Sequence, residues 1–257
     1  MDRHIDFDGI ENFRDFGGYA TACGRGLKRG TLYRSAHHGT ATDADLQRLA
    51  DLGIAVVVDL RRKVERHRDP SKRHDGFRGH VIENDLGVEH DPWVEAIKGA
   101  DLTPDWFRRD SLDFYKAAPL EERHVDLFSR YFHALAEAEG PVLVHCAAGK
   151  DRTGMLCALT HHIGGVHEDD ILADYLLTND ETRIGRRMPF LSDFIRELSG
   201  RTPPEDAVRV ALSVEPGYLK TAFAAMEAAY GSLDGYLEGA LGVTPALRAR
   251  IEDRILA

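Results

Sequence analysis

The sequence predicts a three-layer α/β domain with a mostly parallel central sheet and a helical C-terminal portion. Three observations predict it. Residues 54–58 and 141–144 form short, continuous apolar runs of the kind buried on both faces of a parallel sheet. The second run feeds directly into a glycine-containing loop and an apolar helix, residues 145–163. The last third of the chain carries helical periodicity throughout. With 257 residues, 43% hydrophobic and 30% charged, the chain can bury a sizeable core beneath an ordinary solvated surface. At about 150 residues per domain the length fits one catalytic unit. The expected division is a single domain over 1–257, with 166–257 a helical extension packed on its core.

The elements follow in order. Residues 12–19 end in the Gly17-Gly18 turn, and Cys23-Gly24-Arg25-Gly26 makes another turn before 31–35, which together read as a short β element. Thr42 and Asp45 suit a helix cap, Leu46, Leu49 and Leu52 recur at helical spacing, and Gly53 stops the helix. The first buried strand, 54–58, is bounded by Gly53 and Asp59. Residues 61–75 are strongly charged and read as a loop around Pro70, and 79–86 can supply another short strand. Scattered aromatics over 91–118, Trp93, Trp106, Phe107, Phe114 and Tyr115, suit short helices. Residues 121–138 form an amphipathic helix with Val125, Phe128, Phe132 and Leu135 on one stripe, ended by Gly140. After the strand-loop-helix unit, helices are expected near 171–177, 191–198 and 219–230, with Arg201-Thr202-Pro203-Pro204 as a break.

Composition narrows the partners. Thirty-three basic against 43 acidic residues give a net charge of −10, which repels nucleic acid and anionic lipid at long range, so an anionic ligand needs a local basic pocket. Residues 1–10 lack the apolar stretch of a signal peptide, and no run approaches the roughly 18 residues of a transmembrane helix. Three cysteines, Cys23, Cys146 and Cys157, are too few for a disulfide framework, and no histidine or cysteine cluster has metal-ligand spacing. A cytoplasmic location is the simplest expectation.

The chemistry concentrates in His145-Cys146-Ala147-Ala148-Gly149-Lys150-Asp151-Arg152-Thr153-Gly154. Between a strand and a helix, the backbone N–H groups of Ala147, Ala148, Gly149, Lys150, Asp151, Arg152 and Thr153 can curl around a phosphate at the helix N-terminus. Arg152 offers a planar fork to two phosphate oxygens, and Lys150 adds positive charge at the rim. The same field favours the thiolate of Cys146 as a nucleophile. Gly149 permits positive φ or close backbone approach, and the Thr153 hydroxyl can steady the Cys146 sulfur. The expected reaction is in-line attack of the thiolate on a phosphate monoester, then hydrolysis of the cysteinyl phosphate, a scheme that calls for no metal or cofactor. Asp151 is the first choice of general acid and Asp59, ending the first buried strand, the second; Asp59 can alternatively orient Arg152. His145 reads as scaffold rather than proton shuttle, Cys157 as core, and Cys23 as incidental to its turn or a redox partner of Cys146. Arg14, Asp15 and Arg34 either line the pocket or serve turn and surface packing. The run 61–68 either recognises acidic substrate or is a solvated face, the commoner case.

These residues resemble the cysteine-dependent phosphatase superfamily, and specifically the bacterial atypical tyrosine phosphatases whose loop reads His-Cys-x-x-Gly-Lys-Asp-Arg-Thr-Gly. The resemblance extends to Asn12-Phe13-Arg14-Asp15-Phe16-Gly17-Gly18, Tyr33-Arg34-Ser35-Ala36, Leu52-Gly53-Ile54, Asp59-Leu60-Arg61 and Tyr230-Gly231-Ser232, but the middle, 69–119, carries no alignable motif. It implies a protein-tyrosine-phosphatase-like fold, activity on phosphotyrosine and often phosphoserine, phosphothreonine or phosphoinositides with release of inorganic phosphate, and helices that can lid the pocket. A phosphate-binding module without turnover and a rhodanese-like sulfurtransferase are the competing readings.

Overall fold

The structure is a computed structural model that describes residues 3–257; Met1 and Asp2, within the N-terminal stretch read above for an export signal, lie outside them. Five strands form one sheet: β1 (Arg14–Asp15), β2 (Leu32–Ser35), β3 (Val56–Asp59), β4 (His80–Ile82) and β5 (Val142–His145), in the order β1-β2-β5-β3-β4. β1 pairs antiparallel with β2 and every other pairing is parallel. The short valine runs take the central places because a strand covered on both faces needs apolar side chains on both. Val56, Val58, Val142 and Val144 enter one apolar cluster, while Val57, Leu143 and Tyr33 enter another with Phe7, Phe13 and Leu49 on the opposite face.

The first face is covered by α5 (Glu122–Glu137), α6 (Asp151–Ile163) and the C-terminal helices, the second by α1 (Asp43–Asp51) and the N-terminal segment. This gives the three expected layers. Thr42 caps α1 in a full capping box with Asp45, whose carboxylate also accepts from the Asp8 and Gly9 amides at 2.8 and 2.7 Å. α6 is apolar around most of its circumference because it is enclosed, with only Asp151, Arg152 and His162 escaping full burial.

One expectation needs correction, and another is borne out in finer detail. The charged stretch 61–75 contains a helix, α2 (Lys63–Arg68), rather than loop throughout. Part of it is core: Arg61 is 1% and Glu65 5% exposed. Charge pairing supplies what composition obscured, since a buried ion is tolerated when its partner is buried with it. The C-terminal half also holds more helices than periodicity resolved: α7 (Glu168–Leu176), α8 (Glu181–Ser199), α9 (Glu205–Leu212), α10 (Pro216–Tyr230), α11 (Leu233–Gly239) and α12 (Pro245–Ile255). Between β4 and α5 lie α3 (Pro92–Gly99) and α4 (Pro104–Ala117), started by Asp91 and Thr103 as side-chain caps with proline in the first turn. No helix among the described residues is long and apolar enough to cross a membrane.

Candidate active site

β5 delivers Cys146 to the carboxyl edge of the sheet, where the chain turns through Gly149 into the N-terminus of α6. Gly149 has φ +63°, and a Cβ there would come within 2.3 Å of the Ser35 carbonyl oxygen, so both conformation and space demand glycine. The loop carbonyls face the scaffold. The Gly149 oxygen accepts from Asn12 Nδ2 at 2.8 Å and Arg34 Nη2 at 3.0 Å, Ala148 O from Asn12 Nδ2 at 3.3 Å, and Ala147 O from the His37 amide at 3.1 Å. With its carbonyls bound from behind, the loop is free to direct amides toward an anion at the start of α6.

Arg152 is anchored by a residue the sequence reading did not single out. Its Nη1 and Nη2 donate to Glu65 Oε2 and Oε1 at 2.6 and 2.7 Å, and Nη1 also reaches Leu60 O at 3.2 Å. Of five guanidinium hydrogens, the one on Nε and the second on Nη2 remain unclaimed. Those two share the side edge of the guanidinium, the geometry that grips two oxygens of one phosphate. Glu65 is itself fixed because its Oε2 accepts from the Arg62 amide at 2.7 Å, closing the first turn of α2. Burial alone raises the Glu65 carboxyl, but the charge and hydrogen bonds of Arg152 bring it down to about 2. In turn, Glu65 holds Arg152 above its ordinary value against the cost of burial. A capping glutamate three residues after the cap is the only local signal, and Arg62 is not a residue type that announces a cap.

Asp59, expected as the second choice of general acid or as the group that orients Arg152, has both oxygens engaged by Arg61 and makes no contact with Arg152 among the described residues. Burial disfavours its charge, but His145 and Arg61 outweigh that and hold its carboxyl below the usual carboxylate range. Arg61 clasps both oxygens at 2.7–3.2 Å, and Asp59 lines a separate hollow with Arg61, Lys63 and Arg73. The group that orients Arg152 is therefore Glu65. His145 stacks on His38 with ring centroids 4.8 Å apart, and its Nε2 lies 3.6 Å from Asp59 Oδ2. Burial drives His145 down to about 4, so it is neutral scaffold at physiological pH.

The cleft above Cys146 has a volume of about 640 Å³. Ala147, Ala148, Lys150, Asp151 and Arg152 share it with Cys146, α2 contributes Glu65 and Arg68, α4 contributes Phe107, Asp110 and Phe114, and α8 contributes Arg183, Arg187 and Phe190. Asp91 lines it too, although its Oδ1 already accepts from the Trp93 amide at 3.1 Å. Asp151 Oδ1 accepts from the Tyr115 hydroxyl at 2.9 Å, and that hydroxyl meets Tyr175 at 2.6 Å. Asp110 is a second carboxyl missed from sequence. Burial, then repulsion from Asp113 and Asp151, raises it to about 6.

Three expectations about side chains change. Lys150 is tied down, its Nζ donating to Ala211 O at 2.6 Å and Ser213 O at 3.3 Å, so it is a buried wall rather than a free rim charge. The Thr153 hydroxyl is buried and makes no hydrogen bond, so it does not engage the Cys146 sulfur here. Arg14 and Arg34 are fully buried behind the loop, neither on the surface nor in the cleft. Cys157 is core, its thiol pushed up to about 12 by burial, and Cys23 is an exposed turn residue.

The profile of the tyrosine phosphatase family matches residues 5–257. A Cupriavidus necator protein, whose name assigns it provisionally to the tyrosine-protein phosphatases, is 34% identical over 250 residues, 95% of this chain and 86% of that one. The triple specificity protein phosphatase PtpB of Mycobacterium tuberculosis is 32% identical over 281 aligned residues, 98% of each chain. A fainter likeness, TM-score 0.34 and 22% identity over 76% of this chain and 96% of that one, is to the crystal structure of TpbA from P. aeruginosa.

Proposed function

The chain belongs to the tyrosine phosphatase family, and we propose that it hydrolyses phosphomonoesters through a cysteinyl-phosphate intermediate on Cys146, with phosphotyrosine in protein as leading substrate and dual specificity as an extension. The observation that carries this reading is the side edge of Arg152, left open by Glu65 beside Cys146 in one cleft.

The Cys146 thiolate attacks phosphorus in line, the P–O bond to the leaving group breaks, and Asp151 gives that oxygen a proton. Water then attacks the phosphocysteine, Asp151 takes back a proton, and the sulfur departs as thiolate with inorganic phosphate as product. Arg152 and the loop amides hold the equatorial oxygens in both steps. Asp151 suits the acid role because it opens α6 within the cleft and Tyr115 fixes one of its oxygens. Asp59, with both oxygens on Arg61, is the weaker choice.

The triple specificity in the name of the Mycobacterium tuberculosis relative favours a second, wider reading in which more than phosphotyrosine is cleaved, with phosphoserine, phosphothreonine and phosphoinositide the candidates that the family resemblance implies. Phosphate release from matched phosphotyrosine and phosphoserine peptides and from phosphoinositide decides between them. Cleavage of phosphotyrosine with loss of turnover in Cys146→Ser supports the proposal; turnover surviving that substitution overturns it.

A further inference from the structure

Two buried arginines sit behind the phosphate loop with, among the described residues, one acid between them. Arg34 and Arg14 are each 0% exposed. Arg34 Nη1 donates to Asp174 Oδ2 at 3.0 Å, Arg14 Nε lies 3.5 Å from Asp174 Oδ1, and Arg14 Nη2 donates to Asp174 O at 2.9 Å. The other arms reach the loop. Arg34 Nη2 binds Gly149 O at 3.0 Å, while Arg14 Nη1 holds Asn12 Oδ1 at 2.5 Å and thereby aims Asn12 Nδ2 at the same oxygen, 2.8 Å away.

Charge is left over. Asp174 pays its burial penalty through both arginines and lies at about 2, and Arg14, lowered by burial and by Arg34, remains near 10. At neutral pH all three are ionised, two positive and one negative, leaving one excess positive charge. Of the other titratable groups against them, His161 is driven down by burial, while burial raises the Cys157 thiol, the Tyr175 hydroxyl and the Tyr19 hydroxyl, which donates to Asp174 Oδ1 at 3.4 Å, so none of them adds charge. An uncompensated buried cation is costly unless an anion completes it. Burial lowers Arg34, and Cys157, Asp174 and Cys146 draw it upward against that cost; of the two sulfurs only Cys146 faces the cleft, on the loop whose Gly149 carbonyl Arg34 Nη2 holds.

Resting on the proposed reaction at Cys146, we propose that Arg34, with Arg14 and Asp174, is a positioning residue that turns the Gly149 carbonyl away from the cleft and keeps an excess positive charge behind the Cys146 thiolate. Cys146 shares its cleft with other charges that a substitution at Arg34 leaves in place: Arg152 balanced by Glu65, Lys150 lying 3.7 Å from Asp151, and Arg68, Arg183, Arg187 and Asp110.

The test is the pH dependence of iodoacetamide alkylation of Cys146, read by mass spectrometry on its own peptide so that Cys23 and Cys157 do not interfere. Arg34→Gln removes the charge, and the midpoint of the profile is expected to move up by about one pH unit, slowing alkylation about tenfold on its acidic side. Arg34→Lys keeps the charge but not the fork, so its midpoint stays within about 0.3 units of wild type while turnover of an aryl phosphate falls. An unmoved midpoint in folded Arg34→Gln overturns the inference. Should that variant not fold, Asp174→Asn raises the excess to two positive charges and the midpoint must fall; an unmoved midpoint there overturns it equally. Alkylation needs no turnover, so wild-type enzyme that releases no phosphate defeats the proposed function without touching this result.

Discussion

The Glu65 carboxylate holds the end of the Arg152 guanidinium through two parallel hydrogen bonds of 2.6 and 2.7 Å, across 87 positions of sequence. The pair leaves one edge of the arginine for a ligand and takes from it the freedom to point elsewhere. Preorganisation of this kind is worth more than the ion pair itself, because the donors need not reorganise as charge develops on phosphorus.

Glu65→Gln is expected to lower kcat/KM for an aryl phosphate about tenfold to a hundredfold, with Arg152→Ala lower still. Steady-state kinetics check this. Equal activity of Glu65→Gln and wild type contradicts the role given to the pair.

The same carboxylate predicts acid sensitivity. Its value in the fold, about 2, lies below the ordinary 4.5, so its stabilisation is fully present above pH 4.5 and is lost as pH falls toward 2. Thermal melts over that range should show the wild type losing stability more steeply than Glu65→Gln.

Asp110 has the opposite sign. Its carboxyl ionises at about 6 in the fold against 3.8 ordinarily, so its cost to stability is absent below 3.8 and complete above about 6. With solvent at the cleft mouth reducing the combined cost of burial and repulsion to about 1 kcal/mol, Asp110→Asn should raise the melting temperature by about 2–4 °C at pH 7.5. At pH 3.5 it should leave the melting temperature unchanged. Calorimetry at the two pH values decides it.

Much of the site's frame is legible in the sequence because it is local. The valine runs, the turn at Gly149 and the entry into α6 are all set by neighbours within a few residues, and the nucleophile and arginine come with them. What escapes is what pairs over distance. Glu65 looks like one charge among many in a polar run until the fold brings Arg152 to it. Arg34 reads equally as a pocket-lining or a surface-packing residue until Asp174, 140 positions away, proves to be its buried counter-ion. Asp59 ends its strand where a ligand group belongs, but Arg61, two residues on, takes both its oxygens.

Asp151→Asn should slow substrates with poor leaving groups more than those with good ones, since only the former depend on proton donation. A series of aryl phosphates of graded leaving-group acidity measures this. Uniform slowing across the series removes Asp151 from the acid role.

The most direct test is acid quench during turnover of an aryl phosphate, followed by mass spectrometry of the peptide that carries Cys146. The account predicts one phosphoryl group on Cys146 in the wild type, and neither adduct nor turnover in Cys146→Ser. A phosphoryl group on another residue, or phosphate release persisting in Cys146→Ser, contradicts it.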